Sequence, residues 1–354
     1  MPSNNIKVKD YKSSLVKKWL IIVLLLLLLF LSLILSLSLG STDMTFSETM
    51  KAFFHRDNSL NSLILYQLRL PRIVVAIVVG ASLSIAGCVM QSVLRNPLAS
   101  ASTLGVSQGA SFGAAIGIII VEVSLGVSGA VNTGVSVNPY LITLFAFLGS
   151  ILSSITILLL TRFKKLKPST MVLVGVALSS LFSGGLSLAQ YFASETAMAS
   201  IVFWTLGDLG RVGWQEIAIV SVAFLIIFVF FMMHSWKFNA LEAGIDTAKS
   251  LGVKVEALTI VSMIFASLLA GTAVAFVGII NFIGLVAPHI ARRLVGNNHI
   301  VLIPASAIIG GIILVLSDLA GRMIISPIIL PIGAITSFLG APLFLYFIFR
   351  EKSV

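Results

Sequence analysis

The chain has 354 residues, of which 58% are hydrophobic and only 10% are charged, and its mean hydropathy is +1.10. Soluble domains are about one quarter charged, so this composition excludes an ordinary soluble protein and indicates a membrane protein. The formal net charge of +10 does not indicate a nucleic-acid partner, because the basic residues are scattered through short loops without interleaved aromatic side chains.

The N-terminal region combines a basic stretch with a long apolar run at 20–39. Five lysines precede that run: Lys7, Lys9, Lys12, Lys17 and Lys18. The apolar region of a secretory signal is about 7–15 residues long, and this run is longer. We therefore predict a cytoplasmic N-terminal tail over residues 1–18 and a retained first membrane-spanning helix.

Apolar segments of spanning length recur along the rest of the chain. The predicted spans are 19–39, 72–92, 100–121, 139–161, 169–191, 212–234, 257–278, 281–296, 301–323 and 331–349. The span at 281–296 is short for a crossing. The prediction is an all-α, polytopic membrane protein with about ten helices in a single transmembrane domain over residues 19–354.

The distribution of basic residues predicts the orientation of these spans. With the N-terminus in the cytoplasm, ten crossings place both termini inside. Of the 23 lysines and arginines, 17 then fall on the cytoplasmic side and 6 on the outer side. This asymmetry follows the positive-inside rule.

Small residues at helical spacing inside the spans predict close helix packing, although they could also line a pathway. The groups are Gly80, Ser84 and Gly87; Gly109, Gly113 and Gly117; Gly184 and Gly185; and Gly310 and Gly311. Three prolines, Pro97, Pro288 and Pro331, are expected to break or begin helices.

The sequence contains no catalytic constellation. HExxH, CxxC and Walker A patterns are missing, and the four histidines lie far apart in sequence. We therefore expect no enzyme activity, no metal site and no cofactor bound by this chain. Ion-coupled carriers hold ionisable groups in mid-membrane, whereas Asp208 and Asp318 fall near predicted span ends, so a partner ATPase is the favoured energy source.

Several motifs occur in an order that resembles a known family. They are LRLPR at 68–72, GASLSIAGCVMQSVLRNPLA at 80–99, LGVSQGA at 104–110, FWTLGDLG at 203–210, GLVAPHIARRLVG at 284–296, LPIG at 330–333 and GAPLF at 340–344. From about residue 15 to its end, the chain resembles the FecCD-type permeases, the transmembrane subunits of bacterial ABC importers for iron–siderophores, haem and vitamin B12.

The resemblance implies a set of partners and a location. A second permease, identical or paralogous, would pair with this chain above two cytosolic ABC ATPases that bind ATP. An extracytoplasmic substrate-binding protein would dock on the outer face. The expected location is the bacterial cytoplasmic membrane, and the expected cargo is an iron(III)–siderophore complex. Haem or cobalamin is the alternative cargo, and an ion-coupled secondary carrier is a more remote alternative function.

The loop at 239–256 is expected to contact the ATPase, because the corresponding loop of similar permeases folds into short helices that enter a cleft of that partner. The candidate residues are Leu241, Glu242, Ala243, Asp246, Ala248, Lys249, Leu251 and Gly252. The charged members offer polar contacts, the alanines and Leu251 offer a small apolar face, and Gly252 is a predicted helix C-terminal cap. An ordinary polar loop is the alternative.

Three outer arginines, Arg69, Arg72 and Arg322, match arginines that meet glutamates of the binding protein in the vitamin B12 importer. Arginine suits that role through its constant charge and its bidentate geometry toward carboxylates. Arg322 could instead pair with Asp318, which lies four residues earlier, whereas Arg69 and Arg72 have no nearby acid in sequence.

The span at 170–191 resembles the family's pathway-lining and gating helix. Its candidate residues are Ser179, Ser180, Ser183 and Gly184. Small hydroxyl groups suit a passage that must close without gripping a bulky chelate, but serines can equally bond back to their own helix. His289 is expected to have a structural role, because one histidine without clustered carboxylates or thiolates is a poor metal site.

Overall fold

The computed structural model describes residues 3–39, 46–54, 59–124, 140–164 and 168–351. All regular structure in these segments is helical, which confirms the predicted all-α class. The helices are α1 (Ser3–Ser38), α2 (Phe46–Phe54), α3 (Leu60–Leu63), α4 (Leu70–Val93), α5 (Val106–Ser124), α6 (Tyr140–Lys164), α7 (Pro168–Phe192), α8 (Glu195–Leu206), α9 (Trp214–Met233), α10 (Ser235–Glu242), α11 (Ile245–Ser250), α12 (Val255–Val277), α13 (Ile283–Val295), α14 (His299–Met323) and α15 (Ile332–Glu351).

Eight helical stretches of the described chain are long and apolar enough to cross a membrane. They are Val16–Ser38, Leu60–Val93, Val106–Val123, Tyr140–Thr161, Thr170–Phe192, Trp214–Met233, Val255–Val277 and His299–Met323. The second stretch is one continuous rod, because the π-helical turn Ile64–Arg69 joins α3 to α4. Each stretch corresponds to a predicted span.

The other two predicted spans are also helical but shorter. Helix α13 has 13 residues and so rises about 20 Å, less than the roughly 30 Å of a hydrocarbon core. The apolar part of α15 is Ile332–Phe347. The count of ten crossings therefore stays a prediction, as do the sides of the termini.

Helix α1 begins before the predicted first span, and another span begins later than predicted. Residues 3–18 of the predicted tail form the start of α1, residues 1–2 lie outside the described chain, and the cytoplasmic location of the tail stays a prediction. The third span begins at Val106 and not at residue 100. Before it, Ser100 and Thr103 bond to each other's backbone and side-chain groups, and Gly105 adopts a φ of 75°, so these residues form a turn.

Helix α4 lies at the centre of the bundle and is almost entirely buried. A Cβ atom added at Gly80 would overlap the Gly310 backbone, and one added at Gly87 would overlap the Gly284 carbonyl. The backbones of α4, α13 and α14 therefore touch directly, which confirms the predicted packing role of Gly80, Gly87 and Gly310.

Pro288 lies inside α13, so the expectation that it breaks or begins a helix was wrong. A proline at this position removes the N–H that would bond to the carbonyl of Gly284, four residues earlier. Gln91 Nε2 of α4 donates to that carbonyl over 3.3 Å. The neighbouring helix thus satisfies the carbonyl group that the proline leaves without its usual partner. Pro97 does follow the end of α4, and Pro331 does precede α15, as predicted.

Helices α4 and α14 run antiparallel and define two ends of the molecule. Arg72 contacts Asp318 at one end, Ser84 donates to the Ser306 carbonyl in the middle, and Ser92 contacts His299 at the other. Arg72 and Ser92 are 20 residues apart on one helix, a rise of about 30 Å. We call these the arginine end and the hairpin end.

Candidate functional site

The loop predicted to contact an ATPase folds as a helical hairpin. Helix α10 ends at Glu242, Gly244 turns the chain with a φ of 127°, and α11 follows. At the end of α11, the Gly252 N–H donates to Lys249 O and the Val253 N–H donates to Ala248 O, each over 2.9 Å. With Gly252 at a φ of 81°, this is a Schellman cap, and the predicted capping role of Gly252 is confirmed.

The candidate residues of this α10–α11 hairpin divide into two groups. Leu241 and Ala248 are buried, so they hold the hairpin against the bundle. The remaining candidates are exposed: Glu242, Ala243, Asp246, Lys249, Leu251 and Gly252. Leu251 is 60% exposed, which leaves an apolar side chain accessible at the C-terminal end of α11.

A polar network that the sequence did not predict anchors the hairpin to α4, α13 and α14. Asn239 Oδ1 of α10 accepts from the His299 N–H of α14 over 2.8 Å and lies 2.9 Å from His299 Nδ1. His299 Nε2 lies 2.7 Å from Ser92 Oγ of α4, and Arg292 Nη2 of α13 donates to the same oxygen over 3.2 Å. His299 is fully buried, and no residue type or spacing in the sequence indicated its contact with Asn239.

The three arginines predicted to dock a binding protein lie together at the arginine end. Arg69 and Arg322 are each 5% exposed, while the Arg72 side chain is 12% exposed. Arg72 Nε donates to Asp318 Oδ1 over 2.7 Å, and Arg322 Nε donates to Asp318 Oδ2 over 2.9 Å. The alternative pairing of Arg322 with Asp318 is therefore confirmed, and the same carboxylate also accepts a hydrogen bond from Arg72.

These arginines also bind the end of α1 and a loop near α9. Arg69 Nη1 donates to the Leu37 carbonyl over 2.6 Å, and Arg322 Nη2 donates to Ser36 Oγ, also over 2.6 Å. Asp208 lies 3.4 Å from Arg72 Nη2. We call Arg69, Arg72, Arg322, Asp208 and Asp318 the arginine cluster. Its three cations and two anions join α1, α4 and α14.

The serine-rich helix α7 lines an open groove. Ser180, Ser183 and Gly184 are exposed, and Ser179 is half-buried. A groove of about 600 Å³ lies between Ser179, Ser180 and Ser183 on one side and Phe282 and Leu285 on the other. A Cβ atom at Gly184 would meet nothing within 4 Å, so this glycine borders open space.

The serine hydroxyls of α7 also bond to their own helix, as the alternative interpretation predicted. Ser179 Oγ donates to Gly175 O over 2.8 Å, and Ser180 Oγ donates to Val176 O over 3.1 Å. Their oxygens can still accept from a ligand, because a hydroxyl has two acceptor lone pairs. The groove lining is neutral, and its other polar members include Gln108 and Asn281.

His289 packs against an aromatic ring. It is buried in α13, with its ring centroid 5.0 Å from that of Phe347. Within the described chain, no group of three or more histidine, cysteine, aspartate or glutamate side chains is placed to hold a metal ion.

Comparison with known proteins identifies the family. A relative from Methanocaldococcus jannaschii, named "Putative ABC transporter permease protein", is 46% identical over 342 residues, 96% of this chain and 97% of the relative. The iron(3+)-hydroxamate import system permease protein FhuB of Bacillus subtilis is 35% identical over 323 residues, 90% of this chain and 80% of the relative. A solved structure described as "An inward-facing conformation of a putative metal-chelate type ABC transporter" has a TM-score of 0.78 at 30% identity, over 93% of this chain and 99% of that chain.

The family description covers almost the whole sequence. It matches residues 26–350, which include the α10–α11 hairpin, the arginine cluster and the groove along α7. The chain is thus an integral membrane transport component and not an enzyme. It belongs to the FecCD transport family.

Proposed function

We propose that this chain is the membrane-spanning permease of an ATP-driven importer that moves an iron(III)–siderophore complex into the cell. The observation that carries the proposal is the exposed α10–α11 hairpin, which is anchored to α4, α13 and α14. The names of the relatives support the substrate class, since FhuB is a permease for iron–hydroxamate complexes.

The hairpin is proposed to couple the permease to two cytosolic ABC ATPases, which would bind ATP in place of this chain. Glu242, Asp246 and Lys249 offer charged contacts, and Leu251 offers an apolar one. A displacement of α10 would be transmitted to α14 through the two contacts between Asn239 and His299. It would be transmitted on to α4 through the contact between His299 and Ser92. Buried polar contacts of this kind transmit displacement because breaking one leaves desolvated polar groups.

The groove along α7 is proposed as one wall of the pathway, with Ser179, Ser180, Ser183 and Gly184 on its surface. Helix α7 exposes this small-residue face within the single chain. A second permease, identical or paralogous, would supply the opposite wall. Hydroxyl oxygens and a bare glycine make a surface that can contact a bulky chelate without holding it tightly.

The arginine cluster is proposed as the place where an extracytoplasmic substrate-binding protein docks. Arg69, Arg72 and Arg322 all border a depression of about 180 Å³. The cluster holds one more cation than anions, so acidic side chains of a partner would be attracted to it. Its position at the end opposite the hairpin agrees with an outer location in the cytoplasmic membrane.

The choice of cargo is proposed to rest with the binding protein. The residues that line the groove are all uncharged. Such a lining distinguishes poorly between an iron–siderophore complex, haem and cobalamin, so haem or cobalamin remains the alternative cargo. An ion-coupled carrier is disfavoured because the ion pairs of the described chain lie at the arginine end and at the hairpin end.

Affinity purification of the tagged chain from native membranes tests this proposal. We expect an ABC ATPase in near-equal amount, together with a binding protein whose affinity for ferric siderophores, haem and cobalamin can be compared. Tightest binding of a ferric siderophore would support the proposed cargo, and tightest binding of haem or cobalamin would replace it. Recovery of the chain alone, in detergents that preserve known ABC complexes, would contradict the importer assignment.

A further inference from the structure

A basic cavity of about 420 Å³ opens at the hairpin end, beside the hairpin that is proposed to contact the ATPase. Arg95 follows α4, while Arg292 and Arg293 lie in the last turn of α13. Gln91 and Asn96 add amide groups to the lining. Glu242 is the single acid that lines the cavity.

The cavity keeps an excess of positive charge. Its acid, Glu242, already accepts from Asn297 Nδ2 over 2.9 Å. The ion pairs of the described chain involve Arg72, Arg322 and Lys249, and none includes Arg95, Arg292 or Arg293. The C-terminal ends of α4 and α13 each contribute about half a negative charge. After Glu242 and both helix ends are counted, an excess of about one positive charge is left for a ligand.

The guanidinium groups are held in place while most of their donors stay available. Arg292 donates one N–H to Ser92 Oγ, and Arg293 donates to the Phe347 carbonyl over 3.4 Å. The Arg293 guanidinium also lies over the Phe347 ring, 4.5 Å from its centroid. An arginine has five N–H donors, so each group retains several for an anion in the cavity.

The backbone at Arg95 adopts a conformation that glycine would adopt more easily. Its φ is 47°, and it closes α4 with a Schellman cap, in which the Arg95 N–H donates to Ser92 O and the Asn96 N–H donates to Gln91 O. Glycine is the usual residue at this position, because a side chain in the left-handed region is sterically unfavourable. The arginine side chain that occupies this costly position lines the cavity.

We propose that this cavity binds a phosphate group. Three guanidinium forks offer more donors than the two oxygens of one carboxylate can accept, whereas a phosphate group presents three or four oxygens and suits bidentate arginine contacts. The group could belong to the headgroup of an anionic phospholipid or to free phosphate. Trp236 and Leu294 at the same end are half-exposed, as expected of side chains at a membrane interface. This inference does not depend on the proposed cargo.

The test uses the purified full-length chain with two probes. Native mass spectrometry measures retention of phosphatidylglycerol, with diacylglycerol as a matched lipid that lacks the phosphate. Isothermal titration calorimetry measures binding of inorganic phosphate. The variants are Arg95→Gln and Arg293→Gln, with Arg293→Lys to keep charge without the fork. Lys254→Gln removes an exposed cation outside the cavity and is the control.

We expect one saturable site per chain for at least one probe. Its affinity should fall about tenfold or more in either glutamine variant, less in Arg293→Lys, and by less than about twofold in the Lys254 control. Saturation by the lipid alone would identify a headgroup site, and saturation by inorganic phosphate would identify a free-anion site. The inference is overturned if neither probe saturates, or if Arg95→Gln and Arg293→Gln bind like the wild type while remaining folded by size-exclusion chromatography.

Discussion

Asp318 is the residue on which the arginine cluster depends. Its carboxylate is 2% exposed, and each of its oxygens accepts from a different arginine, Arg72 at 2.7 Å and Arg322 at 2.9 Å. Arg322 in turn donates a hydrogen bond to Ser36 Oγ of α1. One buried acid thus links three helices that are far apart in sequence, and its removal would leave two largely buried cations without their shared partner.

Replacing Asp318 with asparagine should destabilise the protein strongly. Loss of one partner from a buried ion pair costs about 3–5 kcal/mol, because the remaining charge stays desolvated. The thermal unfolding midpoint in detergent should therefore fall markedly. Asp246→Asn is the control, since Asp246 is exposed in the α10–α11 hairpin. Equal unfolding midpoints for the two variants would show that the cluster contributes little to stability.

Docking at the arginine end can be probed without breaking this cluster. Gln67 is exposed and borders the depression that the three arginines line. Gln67→Glu should weaken binding of an acidic partner about threefold at low ionic strength, and Gln67→Lys should strengthen it by a similar factor. Surface plasmon resonance with the binding protein would measure both effects. A response that is identical for the two opposite charges, at low and high salt, would argue against docking here.

The α10–α11 hairpin is the element that carries the proposed coupling. Its internal order depends on Gly252, which caps α11 with a left-handed φ of 81° and has no atom within 4 Å of an added Cβ. A substitution at this position therefore acts through backbone conformation and not through a steric clash.

Gly252→Val should disrupt the hairpin and weaken assembly with the ATPase. A β-branched residue in the left-handed region costs about 1–2 kcal/mol, whereas asparagine tolerates that region. The amount of ATPase that co-purifies should fall for Gly252→Val and stay near the wild-type level for Gly252→Asn. The coupling role loses its support if the valine variant retains the ATPase in full.

Helix α7 is the element that carries the proposed pathway. Ser183→Phe would fill part of the groove that Ser179, Ser180 and Ser183 line. Because the phenyl ring would occupy space along the proposed pathway, uptake of a labelled chelate should fall about tenfold, which corresponds to about 1.4 kcal/mol in the transport barrier. Leu188→Phe is the matched control, since Leu188 is exposed on the same helix but does not line the groove. Equal uptake by both variants would place the pathway elsewhere.

Element positions followed from the sequence because apolar runs of spanning length are a strong local signal. A second local signal, the glycine after a short helical segment, predicted the cap at Gly252, which depends only on neighbouring residues. The proline rule failed at Pro288, because the Gly284 carbonyl finds its donor, Gln91, on another helix. Local chemistry could not reveal that partner.

Contacts between residues far apart in the chain could not be predicted from the sequence for the same reason. Arg72 and Asp318 are 246 positions apart, and Asn239 and His299 belong to different helices. No residue type or spacing links the members of either pair. The three arginines do lie together in the structure, but their burial and shared acid emerge only from the antiparallel packing of α4 and α14.

At the scale of the whole molecule, two polar sites lie at opposite ends of the same helices. The arginine cluster and the hairpin network are separated by about 30 Å along α4, a distance close to the thickness of a membrane hydrocarbon core. Rigid helices with direct backbone contacts at Gly80 and Gly87 connect the two ends. Such an arrangement suits a permease in which binding of a partner on one side of the membrane is mechanically coupled to a partner on the other side.

The most direct test of the account is ATP-dependent uptake in proteoliposomes. The chain would be reconstituted with its co-purifying ATPase and binding protein. Uptake of a radioactive ferric siderophore would be measured with ATP supplied either on the side of the membrane that carries the ATPase or on the opposite side. We predict uptake that requires ATP, the binding protein and an intact hairpin, and that persists when ionophores collapse ion gradients. Uptake that proceeds without ATP and stops on addition of ionophores would contradict the account and establish an ion-coupled carrier.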